Sequence, residues 1–170
     1  MKENHVIIFA LIVIAIVVVA VGVTFANQGK EDSAYSLTVG DFLTYEESSN
    51  STSRTSNITF EILAVNSTNV YLKQTDEFGT RYQNTTKNLT FFALDINQHP
   101  SYYNLTDSGK QEIGLKWGVK STDFYHFNST FMFLDIWMYH GIIVKMVWAT
   151  DSLTITDVLV DTNISQIRGN

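Results

Sequence analysis

The residues with an evident chemistry are asparagines in Asn-x-Ser/Thr triplets, the acceptor sequence for N-linked glycans. Eight of the thirteen asparagines in this 170-residue chain begin such a triplet, and all eight follow residue 26. They are Asn50, Asn57, Asn66, Asn84, Asn88, Asn104, Asn128 and Asn163. The triplet is short, so a domain rich in Ser, Thr and Asn can contain it by composition alone. Eight triplets on one side of one boundary favour the other interpretation, a glycosylated surface on a domain outside a membrane.

The four histidines, in a chain without cysteine, form no metal-binding pattern. No HExxH spacing is present, and neither a glycine-rich phosphate loop nor a Gly-x-Ser-x-Gly turn occurs. His140 precedes a glycine between two apolar runs, which indicates a hairpin turn. His126 lies among aromatic residues, within reach of a pairing with Asp123 or Asp135. We therefore predict no catalytic, cofactor-binding or metal site, no bound cofactor, and a protein that is not an enzyme.

One carboxylate stands within an apolar strand pattern. Under two-residue periodicity Asp135 shares a face with Trp137 and Tyr139, so these three residues form a candidate ligand or ion-pair site. If that face is buried, the Asp135 charge needs a cationic partner. The candidate partners are Lys116, Lys120 and Lys145. The alternative is an edge or bulge position at which Asp135 reaches water.

One apolar segment near the N-terminus determines on which side of a membrane the acceptor asparagines would lie. The segment Val6–Ala26 has 21 residues without charge or proline. As a helix it reaches about 31 Å, close to the roughly 30 Å hydrocarbon core of a bilayer. It is longer than a typical signal-peptide core, so we predict an uncleaved transmembrane anchor; a signal peptide cleaved after Ala26 is the alternative. Lys2 before the segment and the triplets after it favour a cytoplasmic N-terminus.

These features divide the chain into five parts. Residues 1–5 form a cytoplasmic tip, 6–26 the anchor helix, 27–35 a polar tether, 36–165 an extracellular β domain and 166–170 a tail. The chain after the anchor has no cysteine, but its 144 residues are enough for a core without disulfides. The charges are scattered and the net charge is −6, which gives nucleic-acid binding no electrostatic basis. The predicted location is the cell membrane, with one span and the C-terminal domain outside.

The exterior segment has the pattern of β-strands. "ITFEILAV" and "VYLKQT" flank a turn-forming bridge at Asn66–Asn69, and "TFMFLDIWMY", "IIVKMVWAT" and "LTITDVLVDT" predict a meander whose middle strand is covered on both faces. "LTFFALDI" predicts another strand, 48–56 a polar loop beside a solvated Glu46–Glu47 pair, and 107–113 a short helix. We therefore predict a mainly β fold: an N-terminal transmembrane helix followed by one antiparallel β-sheet domain. That domain is expected to be a curved sheet, half-barrel or sandwich with at most one short helix.

The segments "VGDFLTY", "GIIVKMVW" and "DTNI" resemble those of small archaeal surface domains behind one N-terminal span, of the kind found in methanogens and Asgard archaea. The resemblance covers about residues 36–165, implies a β-rich exterior domain and carries over no site residues. The "GIIVKM" arm is also similar to a strand of the bacterial lipoprotein-carrier family, whose members fold as half-barrels around a helix. This chain departs from those soluble carriers in its predicted membrane span.

Together these features predict a membrane-anchored, N-glycosylated cell-surface domain with a non-enzymatic binding or structural role in the envelope. Its expected partners are the membrane and another envelope protein. The alternative is an anchored carrier that holds an apolar ligand on the inner face of a curved sheet, and an enzyme of unknown type is the third hypothesis. A large apolar cavity would favour the carrier, whereas a flat exposed apolar patch would favour a protein partner.

Overall fold

The computed structural model describes residues 35–52, 54–86, 89–90, 93–94 and 104–169, with side chains for 35–52, 54–85 and 104–169. These residues form one nine-stranded antiparallel sheet, a two-stranded hairpin and one short helix. The strands of the sheet are β1 (Phe42–Ser49), β2 (Thr55–Val65), β3 (Asn69–Asp76), β4 (Gly79–Thr86), β7 (Asn104–Leu115), β8 (Gly118–Asn128), β9 (Phe133–Tyr139), β10 (Ile142–Ala149) and β11 (Thr154–Thr162). The hairpin comprises β5 (Leu89–Thr90) and β6 (Ala93–Leu94), and the helix α1 is Ser165–Arg168. The predicted mainly β, antiparallel fold is confirmed.

The strand order is β4-β3-β2-β1-β11-β10-β9-β8-β7, so the first and last strands are neighbours in the middle of the sheet. All remaining neighbours in the sheet are strands that follow one another along the chain. They form two meanders, β1–β4 and β7–β11. Only the pairing of β1 with β11 joins the two meanders within the sheet. Strands β4 and β7 are the two edges, and the sheet is not closed into a barrel.

One face of the sheet is apolar because the strands alternate apolar and polar residues. We call this the core face and the opposite one the outer face. Tyr45 on β1 lies directly opposite Leu159 on β11, and both are buried. The core face continues through Leu72 on β3, Met146 on β10 and Ile136 on β9. Full burial of one such aliphatic side chain stabilises the fold by about 1.5–3 kcal/mol, so this face supplies most of the packing energy.

Strand β10 is buried on both faces, as predicted for the middle strand of the C-terminal meander. The turn that precedes it is His140–Gly141, with φ values of 50° and 77°, as in the tight type I′ turn of hairpins. A bulge near Ile143 allows residues 142–144 to be buried in succession. The Tyr45 hydroxyl donates a 2.6 Å hydrogen bond to the Ile143 carbonyl and so links β1 to β10 past β11.

The predicted helix at 107–113 is wrong. These residues lie within β7, which pairs with β8 along almost its whole length. Because β7 is an edge strand with most side chains exposed, it lacks the apolar alternation that identifies a strand in the sequence. Pairing with β8 therefore decides the conformation, against the local capping signal.

Two further segments differ from the sequence-based expectation. The polar loop predicted over 48–56 is shorter, because β1 extends to Ser49 and β2 begins at Thr55. Within "LTFFALDI", β5 and β6 pair with each other in place of one continuous strand, and β6 contacts β10. The rest of that segment lies outside the described residues.

Both ends of the described chain lie at the same end of the sheet. The Tyr35 N–H donates a 2.9 Å hydrogen bond to the His140 carbonyl at the β9–β10 turn. The buried Asp41 carboxylate accepts hydrogen bonds from the Tyr35 hydroxyl and the Thr38 N–H, which fixes the entry into β1. After β11, helix α1 buries Ile167, so the packed unit continues past residue 165.

The predicted anchor, Val6–Ala26, lies outside the described residues. Among the residues that are described, no helix has the length and apolar character needed to cross a membrane.

Candidate functional site: the glycan-acceptor surface

Seven of the eight acceptor asparagines lie among the described residues, and all seven are exposed. They are Asn50, Asn57, Asn66, Asn84, Asn104, Asn128 and Asn163. The eighth, Asn88, lies outside the described residues. A bulky hydrophilic glycan cannot be buried, so exposure of the acceptor is a requirement for modification. That requirement is confirmed for the seven, and their modification stays a prediction.

Four of the acceptors lie in strands, and their side chains project from the outer face. They are Asn57, Asn84, Asn104 and Asn128. Asn57 alternates with the buried residues of β2, and Asn84 is the cross-strand partner of the exposed Tyr71. Asn128 is the cross-strand partner of the exposed Phe133 on β9. On its other side, Asn128 is paired with Asn104 on β7. The two-residue period of the strands therefore separates these acceptors from the core face.

Two acceptors in turns also hold the backbone through their side-chain oxygens. Oδ1 of Asn50 accepts a 2.9 Å hydrogen bond from the Thr154 N–H. Oδ1 of Asn66 accepts hydrogen bonds of 2.9 and 2.7 Å from the N–H groups of Thr68 and Asn69, an Asx turn that joins β2 to β3. In the described part of the chain neither amide nitrogen has an acceptor, so the atom that would carry a glycan is free at both positions.

Asn163 differs because both ends of its amide are used. Its Oδ1 accepts a 2.9 Å hydrogen bond from the Phe42 N–H, and its Nδ2 donates one of 2.9 Å to the Gly40 carbonyl. These bonds join the residues after β11 to the start of β1. Asn163 is therefore a structural residue whether or not it carries a glycan.

The carboxylate of Asp135 is held by a histidine. Its Oδ1 is hydrogen-bonded to Nδ1 of His126, which lies directly opposite on β8. The three lysines considered as partners are not its partners: Lys145 lies over the Trp137 ring, with Nζ 4.5 Å from the centroid, and Lys120 over the Tyr139 ring at 5.4 Å. Asp135 is partly exposed, so its pairing with His126 forms on the outer face and not in the core.

Trp137 and Tyr139 share the outer face with Asp135, but Trp137 is packed against its neighbours. Its ring lies 5.0 Å from that of Phe124, and its Nε1–H donates a 2.9 Å hydrogen bond to the side-chain oxygen of Gln111 on β7. The three residues of the predicted site thus lie in one row, each with its own partner. This row can stabilise the β7–β10 half of the sheet, and a ligand-binding role for it stays a prediction.

A pair of carboxylates on the core face is not predicted from the sequence. Asp157 lies directly opposite Glu47 in the β1–β11 ladder, and only 1% of Asp157 is exposed. Oδ1 of Asp157 and Oε2 of Glu47 are buried without a hydrogen-bond partner in the described structure. Glu47 was predicted to be solvated and is half-buried, whereas Glu46 is exposed. The available signal was the two-residue spacing of Asp157 from Ile155 and Leu159 in "ITDVL", which places all three side chains on the same face.

Burial and like charge act together on this pair. Burial, and then the Glu47 carboxylate, raise the pKa of Asp157 well above its usual range. Burial also raises the pKa of Glu47, with further contributions from Glu77 and Asp76 near the β3–β4 turn. Tyr45 is buried on the core face of β1, two residues before Glu47. Burial and the Asp157 carboxylate raise the pKa of its hydroxyl. The pair can therefore keep a proton under conditions that ionise a solvated carboxyl.

No group of three or more His, Asp or Glu side chains in the described ranges could hold a metal ion. No protein-family model and no curated protein matches the chain. The function must therefore be inferred from the acceptor surface and from the two faces of the sheet.

Proposed function

We propose that this protein is a membrane-anchored, N-glycosylated surface domain with a non-enzymatic binding or structural role in a cell envelope. The observation that carries the proposal is the exposure of all seven described acceptor asparagines. Buried acceptors would have reduced the triplets to a consequence of composition.

The distribution of the acceptors supports the proposal further. Asn84 lies on edge strand β4, and Asn104 lies on the other edge strand, β7. The edge of an open sheet presents unpaired backbone groups that can pair with another chain. A glycan on each edge would hinder that pairing sterically, which is useful for a sheet that is not closed.

The position of the predicted anchor is compatible with this arrangement. The chain enters the sheet at Tyr35, beside the β9–β10 turn. Asn50 and Asn128 lie at the opposite end of the strands. A tether ending at Tyr35 would therefore leave these two acceptors on the side of the domain that faces away from the membrane.

Glycopeptide mass spectrometry of the protein purified from its own cells tests the proposal. We expect hexose-containing modifications on several of the eight acceptors and none on Asn69, an asparagine outside any triplet. Unmodified peptides for all eight positions would overturn the glycoprotein proposal.

The alternative function is an anchored carrier of an apolar ligand. The open sheet favours it, since the core face of the sheet is largely apolar apart from polar residues such as Glu47 and Asp157. The side chains of that face are buried in the structure, so a ligand would have to replace the contacts that bury them. Native mass spectrometry of the purified protein distinguishes the two functions, because a carrier should retain a lipid-sized adduct that a purely structural domain lacks.

A further inference from the structure

We propose that Tyr71 and Tyr82 form a binding platform for the first sugar of a glycan on Asn84, so that this glycan is part of the folded structure. The inference rests on the proposed N-glycosylation and adds a specific site to it. The ligand class is a pyranose ring attached to the Asn84 amide nitrogen.

The register of the edge hairpin places the three residues together. Asn84 is directly opposite Tyr71 in the β3–β4 ladder, and side chains in such pairs have Cβ atoms about 4.5–5.5 Å apart. Tyr82 precedes Asn84 by two residues on β4, so it projects from the same outer face. The acceptor is thus flanked by one tyrosine along its own strand and one across the ladder.

The two tyrosine rings are exposed, close together and nearly parallel. Their ring centroids are 6.2 Å apart and their planes differ by 15°. Tyr71 is 41% exposed and Tyr82 is 60% exposed. Covering such exposed aromatic area with another apolar surface is favourable, by about 25 cal/mol per Å² of apolar area removed from water. The face of a pyranose ring that carries C–H groups has the shape and polarity to pack on such a surface.

The surroundings leave the platform available. Lys73 lies on β3 directly opposite Tyr82, and its Nζ is 3.0 Å from Oε2 of Glu61 on β2. Among the described residues, the hydroxyls of Tyr71 and Tyr82 make no hydrogen bond. The side-chain oxygen and nitrogen of Asn84 make none there either. Asn84 therefore keeps its nitrogen free for the glycosidic bond, unlike Asn163.

A similar pairing occurs once more on the outer face. Asn128 lies directly opposite Phe133, another partly exposed aromatic residue. Asn57, by contrast, lies opposite Glu46 and follows Thr55 by two residues. Asn57 is therefore a matched control: an exposed acceptor in a strand, on the same face, without an aromatic neighbour in either position.

The test is a double-mutant cycle on the full chain, produced in a host that glycosylates this triplet. Occupancy at each asparagine is measured by glycopeptide mass spectrometry, and the thermal midpoint by tryptophan fluorescence. We expect Asn84→Gln to lower the midpoint by about 3 °C when Tyr82 is present, and by less than about 1 °C in the Tyr82→Thr background. Tyr82→Phe should preserve the full effect, because the ring and not the hydroxyl supports the sugar.

Asn57→Gln should change the midpoint equally in both backgrounds. Equal effects of Asn84→Gln with and without Tyr82, at full occupancy of Asn84, would overturn the platform and leave the glycoprotein proposal intact. The same conclusion follows if Asn84 is unoccupied while other acceptors are modified. Absence of glycans at every acceptor would overturn both proposals. Both tyrosines are exposed, so Tyr71→Thr offers a second variant that is expected to fold.

Discussion

At the scale of single residues, Asp157 is the clearest example of a side chain that lowers the stability of the folded protein. A buried carboxylate without a hydrogen-bond partner opposes folding when it is charged. Its pKa is raised in the folded state by burial and by Glu47, so the folded protein binds this proton more tightly than the unfolded chain. The stability that the proton contributes is fully present below the carboxyl pKa of the unfolded chain, about 3.9, and is lost as the pH rises through the folded-state pKa.

We therefore predict that Asp157→Asn stabilises the protein at pH 7, by roughly 1–3 kcal/mol. Asparagine removes the charge and can donate a hydrogen bond to Glu47. Urea unfolding of the wild type and the variant at pH 4 and pH 7 should show a gain that is larger at pH 7. Asp151→Asn, at an exposed turn position of the same hairpin, is the control and should change little. A destabilised Asp157→Asn protein at pH 7 would contradict this account of the pair.

Asn163 leads to the opposite prediction. Its amide makes two hydrogen bonds that join β11 to the start of β1, so Asn163→Ala should cost about 1 kcal/mol in the free energy of unfolding. The full chain should be measured after production in a host without N-glycosylation, which separates the hydrogen bonds from any glycan. Asn57→Ala, which removes an exposed amide with no such role, should stay within about 0.5 kcal/mol of the wild type. Equal effects at the two positions would show that the Asn163 bonds contribute nothing.

At the scale of elements, the His140–Gly141 turn sets the register of the β9–β10 hairpin. Gly141 has φ of 77°, a conformation that costs other L-residues about 1 kcal/mol or more. We expect Gly141→Ala to lower the free energy of unfolding by about that amount, as measured by urea denaturation. Gly114→Ala is the matched control, because a Cβ at Gly114 meets no atom within 4 Å and Gly114 lies in the extended strand β7. A loss at Gly114 as large as that at Gly141 would indicate that strand packing, and not turn geometry, explains the effect.

The elements that local patterns predicted well are those that contain many buried apolar residues. The β2–β3 hairpin alternates apolar and polar residues, and strand β10 of the C-terminal meander is apolar on both faces. Both elements were located from the sequence. Edge strand β7 was not predicted because nearly all its side chains are exposed. Its sequence therefore lacks the alternating apolar residues that identify a strand. The Asp135 row was predicted to share a face and does. Of the two carboxylates considered for His126, Asp135 is its partner, a choice that depends on the β8–β9 register and not on the sequence of β9 alone.

At the scale of the whole molecule, the chain should have one orientation in the membrane. The prediction rests on the 21-residue uncharged segment followed by every acceptor triplet. Protease added to intact cells should digest the chain from Asn27 onward and spare the first few residues. A domain that stays intact while known surface proteins are digested would contradict this topology. A mature protein beginning at Asn27 would support the location and reject the anchor.

The pairing of β1 with β11 could not be predicted from local patterns. Both strands were found as β segments, but Glu47 and Asp157 become neighbours only through contacts between distant parts of the chain. Reading Glu47 beside Glu46 as a solvated pair followed from its position next to a polar loop. The ladder determines which of the two faces the core, and that choice explains why the buried carboxylate pair was missed.

The same pairing has a consequence for how the protein is made. Strand β1 ends at Ser49, whereas its partner β11 begins only at Thr154. At synthesis rates of about 5–20 residues per second, β11 begins to be synthesised on the order of 5–20 s after β1 is complete. One edge of β1 has no partner strand during that interval. If the first meander pairs during that interval, it is a four-stranded sheet with an exposed apolar face and an unpaired edge, a state that favours aggregation. The acceptors Asn50, Asn57, Asn66 and Asn84 all belong to this early half, where added sugars would keep the waiting intermediate soluble until the last strand arrives.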